Sequence, residues 1–594
     1  MKGPVRNGLP LPNSADIVAE TGGDSMVDLP RRAYYHHARA EVLELVPPSA
    51  HRVLDVGCGE GTLGASIRAR QPAEVHGVEL VQNAAARARH RLDRVWNSSV
   101  EQALPTLPDG YYDCIVAADV LEHLIDPWAV LTALKSKLAP GGTIVSSIPN
   151  IQNWAVLADL VRGKWEYEDE GTLDRTHLRF FTRRSVEELF WTAGLSISSL
   201  TTTVRGAAVP QSVLKALARS GLATRELEQD SQTFQFLVVA QRPHVVTTPR
   251  VAVVILNWNG KDDTLACLQS VNKSDYSNYR VVVVDNGSTD SSVVAIKRRF
   301  PDVVVLETGR NLGFAGGNNV GIRYASDTAA DYVFLLNNDT VIASDLIDAL
   351  VNASISLPER SILGPKIYFH SDPHSLWFAG GRWLPAKLRF SHVAYRKPDS
   401  RSNSQLSETD YVTGCALFAR TSAFDAVGLL DERFFLTYEE TDWCYRAKDL
   451  GYRCFVVPAA RVWHKVSVSF GGAQSPMVAY FMTRNRLLWG RKHLSRRDRL
   501  SLYLQSWRTL RRILAPPFVI RRESKFTLKL YVWAIGSWYR NVLRNFGHPG
   551  NMAILFGIRD YALRRFGDCP ARIRRINDKW RNASPAERAA GPVL

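Results

Sequence analysis

With 594 residues, a formal net charge of +16, 45% hydrophobic and 22% charged residues, the chain has the make-up of folded globular protein, long enough for three or four cores of about 150 residues each. No run of about 18 uncharged apolar residues occurs, the longest, near Phe526–Tyr539, being broken by Lys529, which excludes a spanning helix. The N-terminus lacks the charged-then-apolar pattern of an export signal, and seven cysteines without a CxxC pair fit free thiols in a reducing cytosol rather than a sulfur-ligated metal, so a cytoplasmic chain is expected.

Residues 1–30 carry Gly, Pro, Ser and Asp without periodicity and read as a flexible tail. An α/β pattern then runs over 31–240. VLDVGCGEG (Val53–Gly61) is an apolar strand ending in a glycine turn, which lets the backbone bend tightly and approach a ligand. EVHGVEL (Glu74–Leu80) ends in Glu79, placed to accept both hydroxyls of a ribose. YYDCIVAADVLEHL (Tyr111–Leu124) is a strand ending at Asp119, followed by Glu122 and His123, and LAPGGTIVSSIPN (Leu138–Asn150) is a helix end, a turn and another strand.

In this order the four motifs resemble the class I S-adenosylmethionine-dependent methyltransferases, a Rossmann-like fold. The resemblance implies that Asp55, Gly57 and Gly59 line the methionine end of the cofactor, that Glu79 binds its ribose, and that Asp119 belongs to the same pocket. SSVEQ (Ser98–Gln102) stands where the family has an Asp near the adenine, so that contact falls to Ser99, to the backbone of Val100, or to neither. Methyl transfer to a hydroxyl gains from a general base, and His123 and His177 (in LDRTHLRFF, Leu173–Phe181) are the candidates. The alternative is a domain that binds or scaffolds without turnover.

QRPHVVTTPR (Gln241–Arg250) reads as a linker into a second α/β pattern over 251–490. VAVVILNWNG (Val251–Gly260) and VVVVDNGSTD (Val281–Asp290) are buried parallel strands with polar tips, Asn257 and Asp285, the latter placed to hydrogen-bond a base or ribose. NLGFAGGNNVGI (Asn311–Ile322) offers glycines for close approach to a diphosphate, with a helix expected from about Asn318. YVFLLNNDT (Tyr332–Thr340) ends in Asn337, Asn338 and Asp339, suited to a hard divalent cation.

This half closely resembles the family 2 glycosyltransferases of GT-A fold, most of all the bacterial rhamnosyltransferase-like branch. YVTGCALFAR (Tyr411–Arg420), VGLLDERFFLTYEETDWCYR (Val427–Arg446), VWHKVSVSFGG (Val462–Gly472) and YFMTRNR (Tyr480–Arg486) continue the match in order. The resemblance implies a nucleotide-sugar site at Asn257, Asp285, Asn311, Gly313, Asn337 and Asn338, a Mg²⁺ or Mn²⁺ held by Asp339 and His464, and Glu440 as catalytic base with Glu439 beside it. Asp442 and Trp443 are assigned to orienting the donor sugar or the acceptor. Many relatives carry Asp where this chain has Asn337, which leaves the cation resting on Asp339.

Residues 481–594 hold 25 Lys/Arg against 6 Asp/Glu, a net +19, so the rest of the +16 chain is at −3. Within 491–594, a basic helical region, Tyr503, Trp507, Leu510 and Leu514 share one helix face with Arg508, Arg511 and Arg512 off it, and Pro516–Pro517 end the run. A second stretch aligns Ile554, Ile558, Ala562 and Phe566. With Trp507, Trp533 and Trp538 these helices fit a peripheral contact with the inner face of the cell membrane, or a bundle packed on the transferase; no nucleic-acid module is present. The expected whole is a bifunctional enzyme of cell-surface polysaccharide assembly, such as an O-antigen. It would transfer a sugar, rhamnose from dTDP-rhamnose, with inversion to a glycan or polyprenyl-diphosphate-linked acceptor, and methylate a sugar hydroxyl.

Overall fold

Two sheets organise the chain, the first largely parallel and the second mixed, each built on buried apolar strands. The computed structural model describes residues 39–220, 222, 225–242, 248–400, 403, 405–466, 475–514 and 528–582. The expected tail at 1–30, the middle of the expected linker, and residues 467–472 of the VWHKVSVSFGG motif lie outside the described residues. The chain parts into two compact units at Arg242 and Pro243.

The first unit holds seven strands: β1 (Arg52–Val56), β2 (Glu74–Glu79), β3 (Arg94–Asn97), β4 (Tyr112–Ala118), β5 (Leu138–Pro149), β6 (Ser196–Val204) and β7 (Thr233–Gln241). Their order is β3-β2-β1-β4-β5-β7-β6, parallel from β3 to β5, with β7 running antiparallel to β5. Val53, Val75, Cys114 and Val116 pack with Leu63 and Ile67 of helix α1 (Thr62–Arg70) and with Leu92, a core without water access. Since β1 lies between β2 and β4, the strand order reverses beside it, and the crevice at its carboxyl end is where open α/β sheets bind ligands.

The second unit contains β8 (Val251–Asn257), β9 (Tyr279–Asp285), β10 (Val304–Glu307), β11 (Tyr332–Asn337), β12 (Thr340–Ile342), β13 (Ser361–Phe369), β14 (Asp372–Phe378), β15 (Gly381–Leu384), β16 (Arg389–His392), β17 (Ser407–Thr409), β18 (Ala416–Arg420) and β19 (Arg453–His464). The main sheet runs β10-β9-β8-β11-β18-β13-β19-β12, with β14 on β13 and β17 on β19, while β15 and β16 pair apart. β10 to β11 are parallel, and β18 turns antiparallel to β11. This is the GT-A-like α/β arrangement.

Helix α2 (Gly313–Asp327) starts five residues earlier than the expected Asn318, and its glycines meet protein instead of opening a diphosphate loop. A Cβ on Gly317 would stand 2.3 Å from Leu256 and one on Gly321 2.2 Å from Val254, so these glycines let the helix lie flat on β8.

The acidic motif opens helix α3 (Glu439–Asp449), and β19 leads on towards α4 (Pro476–His493). Beyond it come α5 (Arg496–Leu514), α6 (Leu528–Gly547), α7 (Pro549–Ala562) and α8 (Ala571–Asn582). These basic helices pack on the transferase unit: Tyr480 and Phe481 of α4 form one cluster with Ala553 of α7 and Ile573 of α8. The face of α7 that is buried carries Asn551, Ala553, Gly557 and Asp560, rotated from the expected Ile554–Ile558–Ala562 stripe, because Gly557 admits the α4 backbone within 2.9 Å of where its Cβ would be. Ala562 is exposed and Phe566 lies past the helix end. On α5, Leu502 and Ile513 face inward, leaving Tyr503, Trp507 and Leu514 in solvent. The Trp533 side chain lies outside the described residues.

Candidate active sites

In the first unit the glycine turn is shaped by three positive-φ glycines, Gly57, Gly59 and Gly61. A side chain at Gly57, at φ +70°, would put Cβ 2.7 Å from Val120 Cγ2, so both conformation and space demand glycine. Glu79, at the tip of β2, accepts hydrogen bonds from the backbone N–H of Gly59 and of Val81, each at 2.8 Å. It therefore braces the turn and keeps further lone pairs free. Its burial raises its pKa, while those backbone N–H groups oppose the rise. Asp55, at 3% exposure, leaves Oδ2 without a partner. Burial first, then the Glu79 charge, pushes its carboxyl up to about 7 against the pull of Arg39.

Ser99 is occupied as the N-cap of a short helix, accepting from the Gln102 N–H at 3.4 Å. Asp119 adopts φ +52° at the strand tip, accepts from Ser147 Oγ at 2.7 Å and Gln235 Nε2 at 2.8 Å, and pairs with the Arg39 guanidinium. Beyond it opens a cavity of about 750 Å³ lined by Asp119, Glu122, His177, Arg205, Phe234 and an acidic segment from Glu166 to Glu170. Of the two candidate bases His177 lines it, and His123 packs against His177 with ring centroids 4.7 Å apart in edge contact. Burial, then His177, lowers the pKa of His123. Glu122, to which the sequence assigns no role, is 1% exposed and neither carboxylate oxygen has a hydrogen-bond partner. Burial, then Asp119, holds its pKa well above the usual range.

In the second unit a buried relay ties three strand tips together. Asn338 Nδ2 donates to Thr264 Oγ1, Thr264 donates to Asn257 Oδ1, and Asn257 Nδ2 donates to Asp285 Oδ1, at 2.8–2.9 Å. Asn257 is fully buried with its amide satisfied, so it positions Asp285 and has no surface to offer a nucleotide. Asp285 also accepts from the Ser288 N–H at 3.0 Å. Asn311, just ahead of α2, accepts from the Gly313 N–H at 2.8 Å, and Asn286 donates to both Asn311 Oδ1 and the Gly313 carbonyl. Asn286 carries no signal of its own in the sequence, although it directly follows Asp285 in the motif. Gly313, at φ +76°, lies against Phe435, whose ring a Cβ would approach to 2.6 Å.

Asn337 and Asn338 are half-buried at the end of β11, and Asp339 follows. The Asp339 carboxylate stands 3.0 Å from His464 Nε2, brought there by the Thr340–His464 register of β12 and β19. Burial disfavours the charged imidazole, but the Cys415 sulfur and Asp339 overcome it and push His464 up to about 10. Glu440 is half-buried, accepts from the Gly414 N–H, and keeps Oε2 unpartnered; Glu439 is buried with one oxygen orphaned. Burial raises both carboxyls, and Glu440 adds to the rise on Glu439. Because Gly414 holds Glu440 and its neighbour Cys415 contacts His464 and accepts from the Asn337 N–H, one peptide link joins the acid to the Asp339–His464 pair.

Asp442 and Trp443 do not join this group. They lie further round α3, where Asp442, fully buried, pairs with Arg446, Lys492 and His493. Trp443 stacks on Phe424 and donates to the Gly428 carbonyl at 2.7 Å. Burial works against the Asp442 charge, yet these cations hold its pKa below the usual carboxylate range. Both residues brace the helix.

The loop feeding α3 is strained, since Phe435, Thr437 and Tyr438 all take positive φ. Asn485 holds it, its Nδ2 donating to the carbonyls of Phe434, Leu436 and Thr437 at 2.7–2.9 Å. Arg484 adds bonds to the carbonyls of Phe434 and Gly567. Both residues sit in YFMTRNR, a motif to which the sequence gives no role.

Residues 31–200 match the family model of a methyltransferase domain, and residues 252–428 that of glycosyl transferase family 2. An N-acetylglucosaminyl-diphospho-decaprenol L-rhamnosyltransferase of Mycobacterium tuberculosis is 30% identical over 277 residues, 42% of this chain and 87% of that enzyme. A dTDP-rhamnosyl transferase of Shigella flexneri is 25% identical over 253 residues, 41% of this chain and 80% of that protein. At the other end, a ubiquinone biosynthesis O-methyltransferase of Xanthomonas axonopodis is 35% identical over 132 residues, 20% of this chain and half of that enzyme. The chain belongs to glycosyl transferase family 2 and carries a methyltransferase domain ahead of its transferase unit.

Proposed function

We propose that the second unit transfers rhamnose from dTDP-rhamnose, with inversion, to a polyprenyl-diphosphate-linked or glycan acceptor, and that the first methylates a sugar hydroxyl of the same glycan, as in O-antigen assembly. The observation that carries the transferase reading is the unpartnered Glu440 carboxylate one peptide link from the Asp339–His464 pair. An acceptor hydroxyl attacking an anomeric carbon must shed a proton, and Glu440, made more basic by burial, is the carboxylate to take it. Glu439 keeps the local charge low by resisting ionisation.

Asp339 and His464 bring a hard oxygen and an imidazole nitrogen within 3.0 Å of each other, with His464 Nδ1 left unpartnered, and fit a divalent cation. Such an ion, Mg²⁺ or Mn²⁺, neutralises charge on a leaving diphosphate. Asp285 sits at the strand tip for the nucleotide, and the half-buried Asn337 and Asn338 for the sugar diphosphate. In the first unit Asp55, Gly57, Gly59, Glu79 and Asp119 form the S-adenosylmethionine site.

No described helix is long and apolar enough to cross a membrane. Trp507 at 61% exposure, with Leu500, Leu504, Tyr539 and Leu543 and the exposed Arg508, Arg511, Arg512, Arg540 and Arg544, supports peripheral docking on anionic lipid at the inner face of the cell membrane. Transfer from dTDP-rhamnose by wild-type chain and by Glu440→Gln tests the central reading. Loss of transfer by the variant, with S-adenosylmethionine binding unchanged, supports it; transfer at wild-type rate removes Glu440 as base. Failure of the wild-type chain to bind S-adenosylmethionine would leave the first unit a scaffold.

A further inference from the structure

We propose that Glu122, His123 and His177 form a divalent-cation site in the methyltransferase unit, and that the ion holds neighbouring hydroxyls of the sugar acceptor beside the methyl donor. This deepens the O-methyltransferase reading and rests on it.

Three observations converge. One ligand atom from each of the three residues lies within 4.8 Å of the others, and His177 Nε2 is 4.0 Å from Glu122 Oε1. An octahedral ion with bonds of about 2.1 Å needs edges of about 3 Å, so modest side-chain rotation closes the set. The tautomers are also fixed. His177 Nδ1 lies 3.1 Å from the Thr172 carbonyl and His123 Nδ1 lies 3.2 Å from the Thr176 carbonyl. A carbonyl can only accept, so each Nδ1 carries the proton and each Nε2 presents a lone pair, the arrangement that orients imidazole ligands. Thr176 extends the support, its hydroxyl donating to Asp174 at 2.7 Å while its oxygen faces His123 Nδ1 at 3.1 Å.

The third observation is electrostatic. Glu122 is buried to 1% exposure with both carboxylate oxygens unpartnered, a costly state for a charged group unless a cation completes it. The adjoining cavity is lined by eight carboxylates against three Arg or Lys side chains. Such a cavity repels a diphosphate and accepts a neutral polyhydroxylated ligand, which two oxygens of a vicinal diol would bind through the ion. Methylation then acts on a sugar ring away from the lipid-diphosphate end. In the transfer, the acceptor oxygen forms a bond to the methyl carbon as the carbon–sulfur bond breaks. The electron pair stays on sulfur as the neutral thioether, and the hydroxyl proton, acidified by the ion, passes to water. His123 and His177 thereby act as ligands and neither is the base.

The test uses the full chain in an Asp339→Asn background, which silences the candidate cation site of the other unit, and counts bound Mn²⁺ by electron paramagnetic resonance. One Mn²⁺ per chain is expected. Glu122→Gln and His177→Gln should each weaken it at least about tenfold while S-adenosylmethionine affinity, read by calorimetry, stays within about twofold. Mn²⁺ binding unchanged by both substitutions overturns the proposal. S-adenosylmethionine failing to bind the wild-type chain overturns the methyltransferase reading instead, whatever the Mn²⁺ count.

Discussion

Replacing Asp55 with asparagine should stabilise the first unit while weakening its cofactor site. The folded-state pKa of Asp55 is about 7, against about 4 for an ordinary aspartate, at 3% exposure. A carboxyl raised in this way adds stability that is whole below its unfolded pKa and is lost as pH rises through its folded pKa, here from about 4 to about 7. About three pKa units at about 1.4 kcal/mol each put the cost of keeping this charge buried near 4 kcal/mol above neutrality. Asparagine carries no charge but leaves polar atoms that cost about 1–3 kcal/mol when unpaired. The variant should therefore be more stable by about 1–3 kcal/mol at pH 8, with roughly 2–4 °C in the unfolding midpoint for each kcal/mol. Its advantage should shrink by about 3 kcal/mol at pH 5, where the wild-type carboxyl is protonated. S-adenosylmethionine affinity should fall about tenfold to a hundredfold, the worth of a charge-assisted hydrogen bond. Differential scanning calorimetry at the two pH values and isothermal titration read both effects. Equal pH slopes for wild type and variant would show that Asp55 is not a buried, uncompensated charge, and the reasoning would fail.

Gly313→Ala should destabilise the second unit by about 2–4 kcal/mol, because positive φ and the Phe435 ring both oppose a Cβ; thermal unfolding measures it. Asn485→Ala should lower the transfer rate with donor affinity kept, since it frees three carbonyls of the strained loop ahead of Glu440 without touching the nucleotide half; single-turnover kinetics separate the two. Asp442→Asn should cost the second unit about 3 kcal/mol at pH 7, a difference that fades as pH falls through the depressed pKa of the wild-type carboxyl. Denaturant titrations at pH 7 and 3 follow that loss, and an equal deficit at both would argue against the ion cluster.

Strand tips are the most legible parts of the sequence. Runs such as VVVVD and YVFLLN announce buried strands through β-branched and apolar residues, and their polar ends mark the crevice. Helix facing is harder to read. Asp442 and Trp443 follow Glu440 so closely that sequence alone assigns them to the same site, yet about 200° of helical rotation turns Asp442 to the opposite side, against Lys492, and Trp443 is taken up by Phe424. The glycines of Asn311–Ile322 look like ligand-facing positions because an absent side chain serves a close helix–strand contact as well as a phosphate. Asn485 and Glu122 are hidden for another reason. Their importance comes from partners dozens of residues away, the carbonyls at 434–437 and the imidazole of His177.

The grip of Arg484 and Asn485 on the Phe434–Thr437 loop, completed by the Gly567 carbonyl and by the Gly567 N–H donating to Arg433, has a consequence for how such chains can be recombined. The family match stops at residue 428, before the acid itself, and the groups that set the acid's loop come from as far along as residue 567. A hybrid joined between those points would inherit a sheet from one parent and the fastening of its reactive loop from another. The smallest portable transferase from this chain therefore runs from Val251 past Gly567, basic helices included.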